Sequence, residues 1–130
     1  MFVHLHVHSY YSFLNSPTSV TAYLARAAEL EMPAVALTDH NCLSGAVEFH
    51  KKALELGIKP IQGVEITIEG GYHLTLLAKN NLGYRNICRL LTAGFQIDRR
   101  QPVVTWEQLQ AYHQGLLVLT GCRRSALWHA

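Results

Sequence analysis

Residues 34–38, Ala-Val-Ala-Leu-Thr, form a short unbroken apolar run between Pro33 and Asp39. A run of this length without alternation marks a strand buried on both faces. Helical periodicity flanks it on each side. Val20, Leu24, Ala27, Ala28 and Met32 recur at helical spacing behind Thr18 or Ser19 as N-cap, and Pro33 stops the helix. A second helix is predicted over 43–56, with Val47, His50 and Leu54 on one line and Gly57 as its stop.

The same alternation continues. Residues 58–68 contain a strand, 69–71 a Glu-Gly-Gly turn, and 72–78 another strand. A helix is expected over 82–95, with Ile87, Leu90, Leu91 and Gly94 along its apolar side. A shorter one is expected over 106–113 behind Thr105. Residues 116–120 read as a further buried strand, ending at Gly121-Cys122. At the front of the chain, residues 2–7 alternate as Phe-Val-His-Leu-His-Val, a strand with histidines on one face. Strand, helix and strand in repeated succession predict an α/β fold with parallel pairing through right-handed crossovers. An open doubly wound sheet and a barrel are both compatible with that pattern. The 130 residues form one domain, whose alternation is still in progress at Ala130, so the domain is expected to stop before it closes.

Composition removes several function classes. Nearly half the residues (49%) are apolar and the net charge is only +2, too mild to predict nucleic-acid binding. The pairs Arg99-Arg100 and Arg123-Arg124 read as solvated surface. Three cysteines form no CxxC pair, which fits a reducing compartment. No charged leader precedes an apolar run, and no window is long enough to span a membrane, so a cytoplasmic protein with no membrane partner is expected.

Eight histidines are many for this length. His6 and His8 stand two apart on the first strand, so they project from one face with Cα atoms roughly 6–7 Å apart. Alone, His-x-His is a weak signal, as easily a half-buried strand showing histidine by chance. Its setting strengthens it. His40 follows one strand end, Glu65 lies late in another, and Cys122 follows a third, while His73 falls early in its strand and fits less neatly. Ligands in parallel α/β sheets gather at the carboxyl edge. Nitrogen, carboxylate and thiolate donors suit Zn²⁺, or Mn²⁺ or Fe²⁺ where histidine and carboxylate dominate. Asp39, beside His40, reads either as a support for a ligand or its loop, or as a cap of the next helix. His4, deeper along its strand, reads as a core or supporting residue. His50, His113 and His129 give no functional signal. Cys42 and Cys88 read as small buried hydrophobes, and Trp106 with Tyr112 as core or interface.

The stretch His4-Leu5-His6-Val7-His8-Ser9-Tyr10-Tyr11-Ser12-Phe13-Leu14 resembles the first motif of the PHP (polymerase and histidinol phosphatase) family. Leu37-Thr38-Asp39-His40 resembles its second motif, and Lys59-Pro60-Ile61-Gln62-Gly63-Val64-Glu65 the strand that brings in a glutamate. Leu119-Thr120-Gly121-Cys122 resembles the place where the family offers Cys or His. The run Leu76-Leu77-Ala78-Lys79-Asn80-Asn81-Leu82-Gly83-Tyr84 is similar to the polymerase branch, the front of bacterial DNA polymerase III alpha subunits, more than to free-standing phosphatases.

This resemblance implies a distorted (β/α)7 barrel, incomplete in this chain, and metal ligands at His6, His8, His40, Glu65, His73 and Cys122. It implies metal-assisted phosphoester hydrolysis by two or three divalent ions, with His8, His40 and Glu65 acting through them. The implied substrate is the 3′ end of DNA, and other replisome subunits are implied partners. One departure stands out: Asn15 occupies a position where many members carry aspartate, so a neutral amide replaces a carboxylate beside the site. The family's late Asp-x-His motif has no counterpart. The 130 residues alone are therefore expected to hydrolyse DNA poorly. Two other readings remain: a non-catalytic structural or docking module of a polymerase, and a stand-alone phosphatase.

Overall fold

A computed structural model describes residues 2–128; His129, silent in the sequence, lies outside the described residues. The elements run α1 (Val20–Glu29), β1 (Ala34–Leu37), α2 (Ala46–Glu55), β2 (Lys59–Ile68), β3 (Tyr72–Ala78), α3 (Asn81–Ile97), α4 (Trp106–Ala111) and β4 (Leu116–Leu119). A short 3₁₀ turn, Ala126–Trp128, follows.

Local chemistry accounts for most of these boundaries. Ser19, not Thr18, caps α1, its hydroxyl accepting the Ala22 N–H at 3.1 Å. Thr105 closes a full capping box with Gln108 on α4. Asn80 caps α3 by accepting from Gly83. α2 begins later than its periodicity suggests, at Ala46, and it buries Ala46, Phe49 and Ala53. The Val47, His50, Leu54 line is its outer face, with Val47 65% and Leu54 58% exposed. The large ring of Phe49 decides which stripe turns inward.

The four strands form one sheet in the order β1-β2-β3-β4. Only β1 and β2 are parallel; β3 pairs antiparallel with β2, and β4 antiparallel with β3. The all-parallel expectation fails because Glu69-Gly70-Gly71 is a tight turn with both glycines at positive φ, which leaves no room for a crossover. The alternating side chains Val35, Leu37, Val64, Ile66, Leu74 and Leu76 face the helices. They pack in two buried clusters, one against α1 and α2 and one against α3 and α4. The opposite face carries Glu65, Thr67, His73 and Thr75.

Residues 2–7 do not form a strand. They lie extended along β1, with Ala36 N–H donating to His4 O at 2.8 Å and Thr38 N–H to Val7 O at 2.9 Å. Three residues on one side are thus spanned by two on the other, and the Val7 N–H turns to the Thr38 hydroxyl at 2.8 Å instead of a carbonyl. That interruption breaks the ladder while keeping the segment bound. β4 also departs from expectation. It is the edge strand, with Leu117 53% and Val118 48% exposed, where its composition suggests burial on both faces.

Candidate metal centre

The parallel register of β1 on β2 pairs Ala34 with Lys59 and Leu37 with Gln62, a constant offset of 25 residues. The same offset holds three residues past the end of β1, at an isolated bridge between His40 and Glu65. Sheet pairing therefore sets these two residues side by side. The hairpin then places His73 opposite Thr67 and Thr75 opposite Glu65. Because β3 runs the other way, its first residues lie at the rim where β1 and β2 end. This explains how a histidine early in its strand reaches the same place as one just past a strand end.

Glu65 is the hub. It is 3% exposed, and its two oxygens divide the histidines between them. Oε2 contacts His6 Nε2 and lies 3.6 Å from His8 Nε2, while the two histidine nitrogens are 3.2 Å apart. Oε1 lies 3.2 Å from His40 Nδ1 and 2.8 Å from His73 Nδ1. The result is two groups that share one carboxylate, His6-His8-Glu65 and His40-Glu65-His73, with the ligand atoms of each within 4.8 Å of one another. Burial works against ionisation of Glu65, but hydrogen bonds from His40, His6 and His8 outweigh it and hold the carboxyl well below its usual range. Burial pushes the His73 imidazole below its ordinary value, against the pull of the Glu65 charge.

The donor set fits divalent cations. His73 Nδ1 is buried and makes no hydrogen bond, although Glu65 Oε1 is 2.8 Å away. A buried ring nitrogen and a carboxylate oxygen this close, but without hydrogen-bond alignment, form an arrangement that a cation stabilises.

Asp39 supports this rim without entering it. Its carboxylate accepts the Ser9 N–H at 2.6 Å, the Ser9 hydroxyl at 2.7 Å and the Ser12 hydroxyl at 2.6 Å. Ser12 in turn accepts the His40 N–H at 2.9 Å, so the loop after His8 is tied to the base of His40. Of the two readings of Asp39, loop anchor and helix cap, the hydrogen bonds show the first. Asn15 is exposed, its amide donating to the Phe13 carbonyl at 3.4 Å, and it belongs to neither histidine group. Cys122 lies in neither histidine group. Its Sγ accepts the Arg124 N–H at 3.3 Å, on a turn that bonds to the His73 N–H through Arg124 O at 3.0 Å.

The other singled-out residues fall elsewhere. His4 is exposed against the edge of Phe2, neither core nor support. His50 and His113 are also exposed, as are all four paired arginines. Cys42 and Cys88 are half-buried rather than buried. Trp106 is 49% exposed, while Tyr112 packs on the α3 side of the core. Sequence reasoning missed Ser9, Ser12, Asn41 and Thr67. Only Thr67, two residues from Glu65 and so on its face, carried a usable signal.

The PHP domain family matches residues 4–130. This chain belongs to the PHP family. It is 48% identical to the error-prone DNA polymerase of Symbiobacterium thermophilum over 97% of its length, which is 13% of that protein. It is 40% identical to the DNA polymerase III alpha subunit of Thermus aquaticus, covering 93% of this chain and 11% of that subunit. For the alpha subunit of Borreliella burgdorferi the identity is 36%, over 93% of this chain and 12% of the subunit. The PHP chain thus spans 11–13% of the length of these relatives and is homologous to their N-terminal part. Among solved structures, a Bifidobacterium adolescentis protein assigned as a metal-dependent phosphoesterase matches with a TM-score of 0.53 and 19% identity, over 86% of this chain and 43% of that one. An amidohydrolase from Chromobacterium violaceum matches with a TM-score of 0.52 and 24% identity, over 75% and 35%. These likenesses show the fold, a partial PHP barrel. No helix among the described residues is long and apolar enough to cross a membrane.

Proposed function

We propose that this chain is the N-terminal PHP portion of a bacterial DNA polymerase of the polymerase III alpha class, and that its rim binds two divalent cations for phosphoester hydrolysis at a DNA 3′ end. The observation that carries the reading is the division of the Glu65 carboxylate between two histidine groups. His6 and His8 would hold one ion, His40 and His73 the other, and Glu65 would bridge them. Cys122, whose sulfur accepts the Arg124 N–H on the turn bonded to His73, is proposed as a further ligand. With the Cys122 sulfur the donor set favours Zn²⁺; with imidazoles and one carboxylate alone, Mn²⁺ or Fe²⁺ are the other candidates. Such ions supply an activated water and stabilise charge on phosphoryl oxygens. The chain's own residues hold the rim in place: Glu65 fixes four imidazoles, and Asp39 locks the loop behind them.

A second reading, a structural or docking module, is favoured by one observation. Position 15 is an exposed amide, and Glu65 is the only carboxylate in either histidine group among the described residues. Metal analysis of the intact protein beside a His6→Ala, His8→Ala double variant tests the site, with loss of at least one equivalent expected. Unchanged metal content would remove the ions from this rim. Metal-dependent removal of a mispaired 3′ nucleotide then separates the catalytic reading from the docking one.

A further inference from the structure

The charge of the chain is mild in total and segregated in place. Residues 81–101 carry Arg85, Arg89, Arg99 and Arg100 against Asp98 alone, a net +3 within a chain of net +2, so the remaining residues sum to −1. α3 itself holds no acidic residue. Cations on the other helices are paired: Arg26 with Glu29 at 2.7 Å on α1, and Lys52 with Glu55 at 2.8 Å on α2. None of the four arginines meets a carboxylate within ion-pair distance among the described residues. Asp98 is occupied by its own loop, accepting the Arg100 N–H at 2.7 Å and the Gln101 N–H at 3.1 Å. Like charges held together without partners repel, and a polyanion removes that cost.

The helix lines these charges up. Arg85, Arg89, Thr92 and Gln96 recur at helical spacing and share one face of α3, opposite the face that buries Ile87, Leu90, Leu91 and Gly94. Two surface hollows run along this line. Arg85, Arg89 and Tyr112 border one of about 380 Å³, and Phe95 and Arg99 border one of about 620 Å³. Thr92 and Gln96 line both, so the two form one trough. The Arg89 guanidinium is steadied over the Tyr112 ring, 5.6 Å from its centroid, and donates to Asn86 Oδ1 at 3.3 Å. That bond uses one of its five donors. Phe95, 39% exposed, sets an apolar ring among these polar neighbours.

We propose that the outer face of α3 and the loop after it bind single-stranded DNA, with the four arginines on phosphates and Phe95 against a base. A row of unpaired arginines, two on a rigid helix and two on the loop that follows, fits a chain of phosphates better than a single anion. An exposed aromatic ring beside them suits an unstacked base, since every base offers a π face. In a duplex those faces are stacked on one another, which is why the ring favours a single strand. The trough lies on the helix layer, whereas Glu65 and His73 lie on the opposite face of the sheet. This contact therefore goes beyond the reading of the rim and needs no metal ion.

Fluorescence anisotropy of the full chain with labelled oligo(dT), in chelator, tests the proposal without the rim. The logarithm of affinity should fall with the logarithm of salt concentration at a slope of about −2 to −3, as three or four phosphate contacts on a single strand require. This readout needs no variant to fold. Arg85→Ala with Arg89→Ala should cut the slope by about 1.4. Lys51→Ala with Lys59→Ala removes the same charge from exposed positions on α2 and β2, and should change nothing. Phe95→Ala should weaken binding about fivefold or more at an unchanged slope, and Phe95→Trp should restore it. A wild type that ignores oligo(dT) at low salt would overturn the proposal, as would equal losses in the lysine and arginine variants. Equal affinity for polyglutamate would overturn it in favour of an acidic protein partner. None of these failures touches the rim, whose own test is metal content.

Discussion

Ser12 stands between Asp39 and His40: its hydroxyl donates to the buried Asp39 carboxylate at 2.6 Å and accepts the His40 N–H at 2.9 Å. One side chain thus joins the loop after the first histidine pair to the residue that enters the second group. This bond ties the loop behind the first group to the backbone of the second, whose place is set by the sheet register.

Removing Asp39 should therefore act on stability as well as on the rim. Asp39→Ala leaves the Ser9 N–H and the Ser9 and Ser12 hydroxyls without their acceptor in a site that is 2% exposed. Buried donors left unpaired cost about 1–3 kcal/mol each, and relaxation of the loop offsets part of that. The expected loss is about 2–3 kcal/mol in urea unfolding, smaller for Asp39→Asn. A variant as stable as the wild type would show that the loop is not held by this carboxylate.

Glu65 and His8 should differ in how many ions they control. Glu65→Gln removes the charge that both groups share, so neither ion should bind tightly. His8→Ala touches only the His6-His8-Glu65 group and should remove one ion, leaving that at His40 and His73. Metal stoichiometry by atomic emission checks both variants. Retention of two ions in Glu65→Gln would contradict the shared carboxylate.

Gly63 lies two residues before Glu65 on the same face of β2. A methyl group placed there would meet Leu76 O at 2.6 Å and Thr38 Cγ2 at 2.9 Å. The backbone carbonyl cannot yield without moving β3. Gly63→Ala is expected to cost about 1–3 kcal/mol through overpacking, and to weaken metal binding at the rim beyond it. Thermal melting and zinc titration report the two effects, and a neutral melting temperature would show that β2 and β3 are looser than this contact implies.

Tyr23 gives the chain an alkaline dependence. Its hydroxyl donates to Ala36 O at 3.3 Å, tying α1 to β1, and burial raises its pKa above the ordinary 10.0. The unfolded chain then ionises Tyr23 before the folded one. Its contribution to stability is complete below pH 10 and is lost as pH rises toward the folded-state value. Tyr23→Phe should lose about 0.5–1.5 kcal/mol at neutral pH with the hydrogen bond, and its melting temperature should fall less steeply above pH 10 than that of the wild type. Parallel alkaline curves would place the titration on other tyrosines.

Much of the site is legible in the residues alone. His6 and His8 stand two apart, and alternation along extended backbone brings their side chains together even though the segment forms no regular strand; His40 and Glu65 each stand late in or just past a run that reads as a strand. Thr18 or Ser19, and Thr105, mark helix starts because a short side-chain acceptor next to an amphipathic run has few other uses; the cap at Asn80 emerged only in the structure. Such features are local, fixed by a few bonds along the chain.

Other features depend on partners distant in sequence. Alternation shows that His73 and Thr75 share a face, but not that β3 runs antiparallel and so delivers His73 to the rim. The 25-residue register that sets His40 beside Glu65, the irregular seating of residues 2–7 on β1, and the exposed edge at β4 are likewise products of pairing. The role of Ser12 is of the same kind, because a hydroxyl takes its function from whichever donor or acceptor the fold brings to it. Sequence determined which groups could bind a cation; hydrogen bonding between distant segments decided that they meet.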